Sequence, residues 1–462
     1  MRLSRDRIRA RIKSDLPLTF GSERISAYGG LELMRRFVGV LDLRRRLDAT
    51  LRGVGVGGDY GAAQICLAIM GLLLVGGWRV THLAFVGTDP LLLRFCGLRQ
   101  LPADRTIVRM LKSFSSSALC ALQDLVRDLV HDSIAREKLA RVTLDLDGTV
   151  LRTGAHVGGA ARGYNPHHPK DPSYYPLTAH VAQLGQILRV LNRPGNVHDS
   201  NGADGFLRVV VRELRARFGC AQKLELRMDG AFFVPKVLAF LDEERVEYAV
   251  KVPLWKWLGL RERIRAKHVW RRVSSEVEGF ETWLYLAKWQ RSERICVYRK
   301  RVSHETRKNF QLDLFSPDDG HFEYSAIATN KTLDVAALWH FAAGRGGHEK
   351  TLGELKQNFA FGAIPTNDAL ANAVWQQLSV LTLNLVRGFE TLLGAPRRSR
   401  SLKRTFHYAY RSLQTLRFQW IAQPARIARP AGRVELRFAV SPRARKTIED
   451  IDDKLRRLRV AA

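Results

Sequence analysis

Apolar side chains recur at helical spacing through the first part of the chain. They do so in Leu31-Glu-Leu-Met-Arg-Arg-Phe-Val-Gly-Val-Leu and again through Ile65 to Leu74, the spacing of helices that pack into a core. Residues 1–138 therefore read as helical. At residue 140 the period changes to two. Arg141-Val-Thr-Leu-Asp-Leu-Asp-Gly-Thr-Val-Leu alternates and is β-branched, which predicts a strand. Leu177-Thr-Ala-His-Val-Ala-Gln and Gln186-Ile-Leu-Arg-Val-Leu predict two more, and Arg193-Pro-Gly-Asn closes the second. A helix over 203–218, a strand at Lys223-Leu-Glu-Leu-Arg-Met, a helix over 234–244 and a strand at Glu247-Tyr-Ala-Val-Lys-Val follow.

Three strands, a helix, a strand, a helix and a strand make an α/β sheet of mixed direction with helices on both faces. This is the order of RNase H-like folds. From Pro253 to about Ser325 the pattern alternates again, as in Thr282-Trp-Leu-Tyr-Leu-Ala-Lys-Trp and Arg294-Ile-Cys-Val-Tyr-Arg-Lys-Arg, and five of the nine tryptophans fall here. Helix returns from Asp334 to about Phe359. The expected organisation is a helical region over 1–138, a first part of the α/β core over 139–252, an antiparallel β insertion over 253–325, the second part of the core over 326–390 and a basic C-terminal region over 391–462.

Charge narrows the partners. Lys and Arg number 75 against 45 Asp and Glu, a formal net charge of +30 in 462 residues. Such an excess points to a polyanion, because basic side chains displace counterions condensed on nucleic acid. The five cysteines, Cys66, Cys96, Cys120, Cys220 and Cys296, are scattered with no CxxC pair, which indicates neither a zinc module nor a disulfide framework. That usage suits a cytoplasmic protein. The N-terminus is charged and unlike a secretory signal. The longest apolar stretch, Ile65 to Trp78, is too short to span a bilayer and reads as a buried helix; no membrane partner is expected.

Two basic regions suit DNA. Leu101-Pro-Ala-Asp is followed by Arg105-Thr-Ile-Val-Arg-Met-Leu-Lys-Ser-Phe, a short helix that Asp104 can cap and that carries Arg105, Arg109 and Lys112. It fits the second helix of a helix-turn-helix, or an amphipathic helix with a solvated basic face. From Thr391 to Val434 there is no acidic residue, and Phe406, Tyr408, Tyr410, Phe418 and Trp420 are interleaved with arginines from Arg397 onward. Basic and aromatic side chains together favour nucleic-acid contact.

Phosphodiester chemistry with two divalent ions needs carboxylates converging from distant parts of a chain. Asp147 lies in a predicted strand just before Gly148, and Asp229 ends another just before Gly230. A carboxylate at a strand end reaches a crevice, and the glycine lets a ligand approach the backbone. The third comes from Gly344-Arg-Gly-Gly-His-Glu-Lys-Thr-Leu-Gly-Glu-Leu-Lys. At about 100° per residue, Arg345, Glu349 and Lys356 form one polar stripe while Glu354 faces elsewhere. The plain alternative is a surface ion pair between Arg345 and Glu349.

The spacing of Arg345, Glu349 and Lys356 resembles the signature around the catalytic Glu of DDE transposases of bacterial insertion sequences. Glu354-Leu-Lys-Gln-Asn-Phe-Ala-Phe-Gly-Ala-Ile-Pro-Thr-Asn also resembles the group 1 DDE domain. Asp147-Gly-Thr and Arg227-Met-Asp229-Gly-Ala-Phe-Phe are similar to its first and second Asp motifs. The likeness runs from about Ala140 to Phe389, with similar helical flanks. Ala342 stands where the family often has a tyrosine, with Phe341 beside it. The resemblance implies an RNase H-like catalytic fold with a β insertion before the Glu. It implies Asp147, Asp229 and Glu349 as catalytic residues and ligands of two Mg²⁺ ions, with Mn²⁺ able to stand in. It implies Arg345 and Lys356 on DNA phosphates, and cutting and joining of double-stranded transposon ends by a homodimer that holds two ends together. The expected location is the bacterial cytoplasm, at the nucleoid. In relatives that form hairpins, a Trp of the insertion stacks on a flipped base.

Two other readings compete. Leu144-Asp-Leu-Asp-Gly-Thr-Val looks like the nucleophile motif of haloacid-dehalogenase-like phosphatases, with Asp145 attacking phosphate and Asp147 as acid/base. That reading leaves the basic tail and the Arg345–Lys356 stripe without a task, and Glu449-Asp-Ile-Asp-Asp reads as a terminal helix rather than its metal pair. The other is a DNA-binding protein derived from a transposase with dead chemistry. Asp145 shares a strand face with Asp147 and stands as the alternative metal ligand. His167, His168, His180 and His198 lack the spacing of a metal site, and Tyr164, Tyr174 and Tyr175 read as packing.

Overall fold

The computed structural model describes residues 18–21, 23–55, 59–163, 170–198, 200–301, 322–398 and 407–461. Tyr164, His167, His168, Phe406 and most of the basic run beginning at Arg397 lie outside them. The helical period of the first part becomes α1 (Leu31–Val40), α2 (Leu43–Thr50), α3 (Ala62–Val75), α4 (Pro90–Cys96), α5 (Asp104–Lys112) and α6 (Ser116–Arg136). Helix α3, apolar on every side, is buried along nearly its whole length, as a helix without a polar face must be. No single helix among the described residues is long and apolar enough to cross a membrane. One cap differs from expectation. The N-cap of α5 is Ala103, and Asp104 is the first residue of the helix, where no side-chain cap forms; its charge still suits the positive end of the helix dipole.

The α/β part runs β1 (Arg141–Gly148), β2 (Leu177–Val181), β3 (Gln186–Leu191), α7 (Ala203–Phe218), β4 (Lys223–Met228), α8 (Pro235–Glu243) and β5 (Glu247–Lys251). It continues with β6 (Arg271–Arg272), β7 (Val277–Leu286), β8 (Arg291–Arg301), β9 (Phe322–Thr329), α9 (Val335–Ala343), α10 (Gly346–Asn358) and the long α11 (Ala369–Leu392). The order across the sheet is β3-β2-β1-β4-β5-β9-β8-β7-β6. β1, β4 and β5 are mutually parallel, and the other pairs are antiparallel. The segment expected as an insertion thus extends the central sheet by β6–β9, joined through β9 to β5.

β1 is buried on both faces from Val142 to Leu146, because strands flank it on each side and helices cover the sheet. Thr143, Asp145 and Glu225 are therefore deeply buried polar groups, each with a partner: Thr143 bonds Glu225 at 2.5 Å, and Lys331 bonds Glu225 at 2.7 Å. At the outer edge of the sheet, Asn384 of α11 caps one residue of β3. Its amide accepts from the Ile187 N–H at 2.9 Å and donates to the Ile187 carbonyl at 2.8 Å, which satisfies both outward backbone groups of that edge residue.

Helix α11 is buried from Ala371 to Glu390 and is the shared spine of the molecule. Helices α1–α6, α10 and α11 contribute to one continuous apolar core, which Leu413, Trp420, Ile448 and Leu455 join. A second core lies between the sheet and α7–α8. Early and late segments of the chain meet: Ile25–Ser26 pairs with Ala425–Ala428, which pairs with Glu435–Phe438. The terminal helix α12 (Pro442–Ala461) lies on α1, where Arg36 bonds Asp452. Residues 31–136 and the C-terminal region are packed with the α/β part rather than hung from it.

Candidate active site

β1 and β4 are parallel neighbours, so their C-terminal ends open at the same edge of the sheet, where ligands of open α/β sheets bind. Asp145 stands opposite Arg227. Carrying that register two residues further brings Asp147, near the end of β1, level with Asp229, the first residue after β4. Asp229 opens a short turn over Gly230–Phe232. A side chain at Gly230 would press on Pro253 and the Lys251 carbonyl, so the turn closes tightly under the carboxylate.

Glu349 lies in the first turn of α10 and is the most open of the three, with its side chain 61% exposed. Arg345, just ahead of α10, ties the edge together. Its Nη1 donates to Asp147 Oδ2 at 2.9 Å and its Nη2 to Glu349 Oε1 at 3.3 Å. Burial alone would weaken the guanidinium's charge. Asp147 first, then Asp229 and Glu349, more than offset it, so its pKa is raised. Lys356 reaches the same edge two turns on, where its ammonium donates to the Val150 carbonyl at 3.1 Å. Burial pulls its pKa below the ordinary lysine value, and nearby Asp147 opposes the fall.

Four of the sequence-predicted residues, Asp147, Arg345, Glu349 and Lys356, are thus brought together, with Asp229 in electrostatic reach of Arg345. Arg105, Arg109 and Lys112 are elsewhere, exposed along one face of α5. Lys112 donates to Asn367 Oδ1 at 3.1 Å in the loop that follows α10. Glu354 points away from the stripe as the helix geometry requires, yet it is not a free surface group. It bonds Arg387 of α11, and its Oε1 accepts from the Leu413 N–H at 2.8 Å.

Asp145 takes a role different from Asp147. It is fully buried, and both oxygens are held by Arg227 Nε and Nη2 at 2.5 and 2.8 Å. Burial would raise its pKa; Arg227, with help from His180, holds it well below the carboxylate range instead. A carboxylate so enclosed, paired with Arg227 and shut off from solvent, has no open side toward a substrate or an ion, which speaks against both the phosphatase nucleophile and the alternative ligand. Sequence reasoning missed Arg227. Its Nη1 also donates to the Phe341 carbonyl at 3.1 Å, and Gly344 is required beside it, since a Cβ there would lie 1.9 Å from that nitrogen. The sequence carried only a partial signal, an arginine within a predicted strand that must find a partner if buried; which aspartate it meets is set by the pairing of β1 with β4.

Among the described residues no three His, Cys, Asp or Glu side chains are grouped closely enough to hold a metal ion. The side chains of Asp147, Asp229 and Glu349 offer hard carboxylate oxygens, the donor type that divalent cations such as Mg²⁺ prefer. A cation, the Arg345 guanidinium, already lies between two of them. His198, by contrast, is exposed and bonds Ser200.

Two further features border the edge. A cavity of about 250 Å³ opens beside Arg345, lined by Arg227, Lys251, Lys300, Trp339 and Ala342 among others. The position that often carries tyrosine in the resembling family is thus part of a cavity wall. Four residues past Asp229, Phe233 touches Trp289 at 4.8 Å and Trp255 at 6.1 Å, and Trp255 stacks on Trp257 at 5.7 Å. Both outer tryptophans are 39% exposed. A larger cavity of about 1360 Å³, between α1, α4 and the C-terminal strands, is lined by none of these residues.

The chain belongs to the transposase DDE domain group 1 family, whose model matches residues 9–460. The match takes in both flanks of the motif-bearing region. No curated protein matches the chain. Among solved structures, a piggyBac transposase synaptic complex with hairpin DNA is similar at 12% identity and a TM-score of 0.40, over 79% of this chain and 75% of that one. So loose a likeness carries no weight for the function.

Proposed function

We propose that the protein is an insertion-sequence transposase that binds the ends of its element, cuts them and joins them to target DNA, with Asp147, Asp229 and Glu349 as the catalytic carboxylates. The observation that carries the reading is the meeting of Asp147 and Glu349 on one guanidinium at the open end of β1, with Asp229 level beside them. The sheet order β3-β2-β1-β4-β5 with β1, β4 and β5 parallel supports an RNase H-like core for this chemistry. The three carboxylates would hold Mg²⁺, and bound ions would supply charge stabilisation and an activated oxygen nucleophile.

The chain's own residues do the rest. Arg345 and Lys356 place fixed positive charge beside the carboxylates, where a phosphate would otherwise be repelled. Lys356 is anchored by the Val150 carbonyl, so its charge is held at the strand end rather than swept by solvent. The exposed Arg105, Arg109 and Lys112 recur on one face of α5 and would follow a DNA backbone, while the net charge of +30 draws DNA in at long range. Trp255 and Trp257 offer an indole face to an unstacked base. Two ends would be held by a homodimer, in the bacterial cytoplasm at the nucleoid.

The test is incubation of the purified protein with the terminal DNA of its element and Mg²⁺, with EDTA as control. Nicking at the element boundary that needs the ion supports the reading. Tight end binding with no cutting under any divalent ion would establish instead a DNA-binding protein with dead chemistry.

A further inference from the structure

Beneath the catalytic edge lies a buried polar cluster to which the proposed chemistry gives no task. The rings of His180 and His348 stack at 4.8 Å with planes 1° apart, and both are essentially without exposure. His180 is on β2; His348 is on α10, immediately before Glu349. Two hydrogen-bonded routes run through this pair, and each joins the sheet to the helix.

The first route passes through Thr178, which stands opposite Asp147 in the β1–β2 register. Thr178 Oγ1 lies 3.1 Å from the Asp147 carbonyl oxygen and 3.0 Å from His348 Nε2. A hydroxyl has one proton to give. The carbonyl can only accept, so Thr178 donates there, and His348 must present Nε2–H to the hydroxyl oxygen. The tautomer follows from the partners. It leaves Nδ1 as a bare acceptor, and among the described residues the buried His348 Nδ1 has no hydrogen-bond partner. Burial holds this ring well below the usual histidine pKa, in keeping with a neutral imidazole. The second route runs from Arg227 to Asp145, from Asp145 to His180 Nδ1 at 3.3 Å, and from His180 Nε2 to Thr351 of α10 at 3.3 Å. Thr351 Oγ1 also lies 3.0 Å from the Gly347 carbonyl; a neutral His180 gives its one N–H to Asp145 and accepts at Nε2, so the single hydroxyl proton of Thr351 is shared between the ring and that carbonyl.

We infer that Thr178 and His348 are positioning residues, which fix the helix carrying Glu349 against the strand carrying Asp147; the inference rests on the transposase reading. The geometry explains why polar groups serve here. Apolar packing tolerates a small roll or slide of a helix, whereas a hydrogen bond loses its strength within a few tenths of an ångström and a few tens of degrees. Glu349 is exposed and, among the described residues, its side chain is held by Arg345 alone, so its position follows that of the helix turn beneath it. His348 is the adjoining residue in that turn, and its partner is bonded to the backbone of Asp147 itself. Three hydrogen-bonding groups therefore span two carboxylates that are 202 residues apart in the chain.

The experiment uses the full chain and four variants: His348→Gln, which keeps a donor where Nε2 lies; His348→Asn, which does not reach it; Thr178→Val; and the double variant Thr178→Val/His348→Leu, which replaces the pair by apolar groups and strands no donor. Cleavage kinetics on terminal DNA, Mn²⁺ affinity by electron paramagnetic resonance and thermal stability are read together. Groups that orient metal ligands change activity or affinity by about 10–100-fold when lost. His348→Asn, Thr178→Val and the double variant are therefore expected to lose about tenfold or more in kcat and to bind Mn²⁺ more weakly, with KM for DNA little changed. His348→Gln should stay near the wild type, and the double variant should melt near it. Equal behaviour of His348→Gln and His348→Asn, or activity that simply follows thermal stability across the set, overturns the inference. A wild type that binds Mn²⁺ but cuts no DNA defeats the transposase reading alone, and the Mn²⁺ series then decides the positioning role. A wild type that binds no Mn²⁺ defeats both.

Discussion

Arg345 Nη1 lies 2.9 Å from Asp147 Oδ2 although the two residues are 198 positions apart. Its other terminal nitrogen bonds Glu349, so one planar fork is shared by two carboxylates. A lysine has no second arm to share. Arg345→Lys is therefore expected to lower cleavage by about 1–3 kcal/mol of barrier, in line with other charge-assisted hydrogen bonds. Measured kcat should fall while affinity for end DNA falls far less. A lysine variant that cuts as fast as the wild type would mean that charge alone is used.

Asp147→Asn, Asp229→Asn and Glu349→Gln are each expected to abolish cleavage while gel-shift affinity for terminal DNA persists. Each change removes a negative charge that would hold a cation and leaves the exposed cations of α5 in place. Retained cutting in any one of them takes that residue out of the proposed site.

Asp145→Asn separates fold from chemistry. Its carboxylate is enclosed with Arg227, and breaking a buried pair by removing one partner costs about 3–5 kcal/mol because the other charge is stranded. The expected outcome is a clear drop in urea midpoint, far beyond that of Asp147→Asn, whose side chain is partly open. Similar midpoints for the two variants would contradict this division of labour.

Acid should destabilise the protein in two stages. Burial holds His131 at a pKa of about 4, and His180 and His348 are also lowered by burial. The folded state thus keeps these rings neutral, while the unfolded chain takes up protons as pH falls through about 6.5. Stability attached to them is full above that value and is lost below it. Glu32 follows at lower pH. Burial alone would raise it, but Arg35 and then Arg94 bring it down to about 2. Its contribution is present above the unfolded carboxylate value and declines as pH drops toward 2. Thermal melting between pH 7 and 3 should show the first decline starting near 6.5, and a flat profile down to pH 5 would contradict it.

Glu354→Gln tests the far side of α10. The side chain joins α10 to Arg387 and to the Leu413 backbone, well removed from the carboxylates by helix rotation. The change should cost about 1–3 kcal/mol of stability, the usual cost of weakening a buried charged hydrogen bond. kcat measured well below the melting temperature should be nearly unchanged. Lost strand transfer in a variant that is folded and binds DNA would mean that this glutamate takes part in the chemistry.

Much was legible before any tertiary structure, because local rules suffice for it. Period-two alternation marked β1, β2 and β4, helical period marked α1, an unbroken apolar run marked α3 as a buried helix, and rotation along one helix separated Glu354 from Arg345, Glu349 and Lys356. Each follows from backbone geometry within a dozen residues. What only the fold decided is which distant groups meet and which face opens to water. Asp145 and Asp147 are two residues apart on one strand face and indistinguishable by pattern. One is enclosed with Arg227 because β4 runs beside it at mid-sheet; the other is open because the strand ends. Likewise the alternation of 253–325 marked strands without showing that they extend the central sheet, and nothing local shows that Ile25 pairs with Arg426. Pairing and burial arise from contacts between segments hundreds of residues apart, whose free energy is absent from any local window of the sequence.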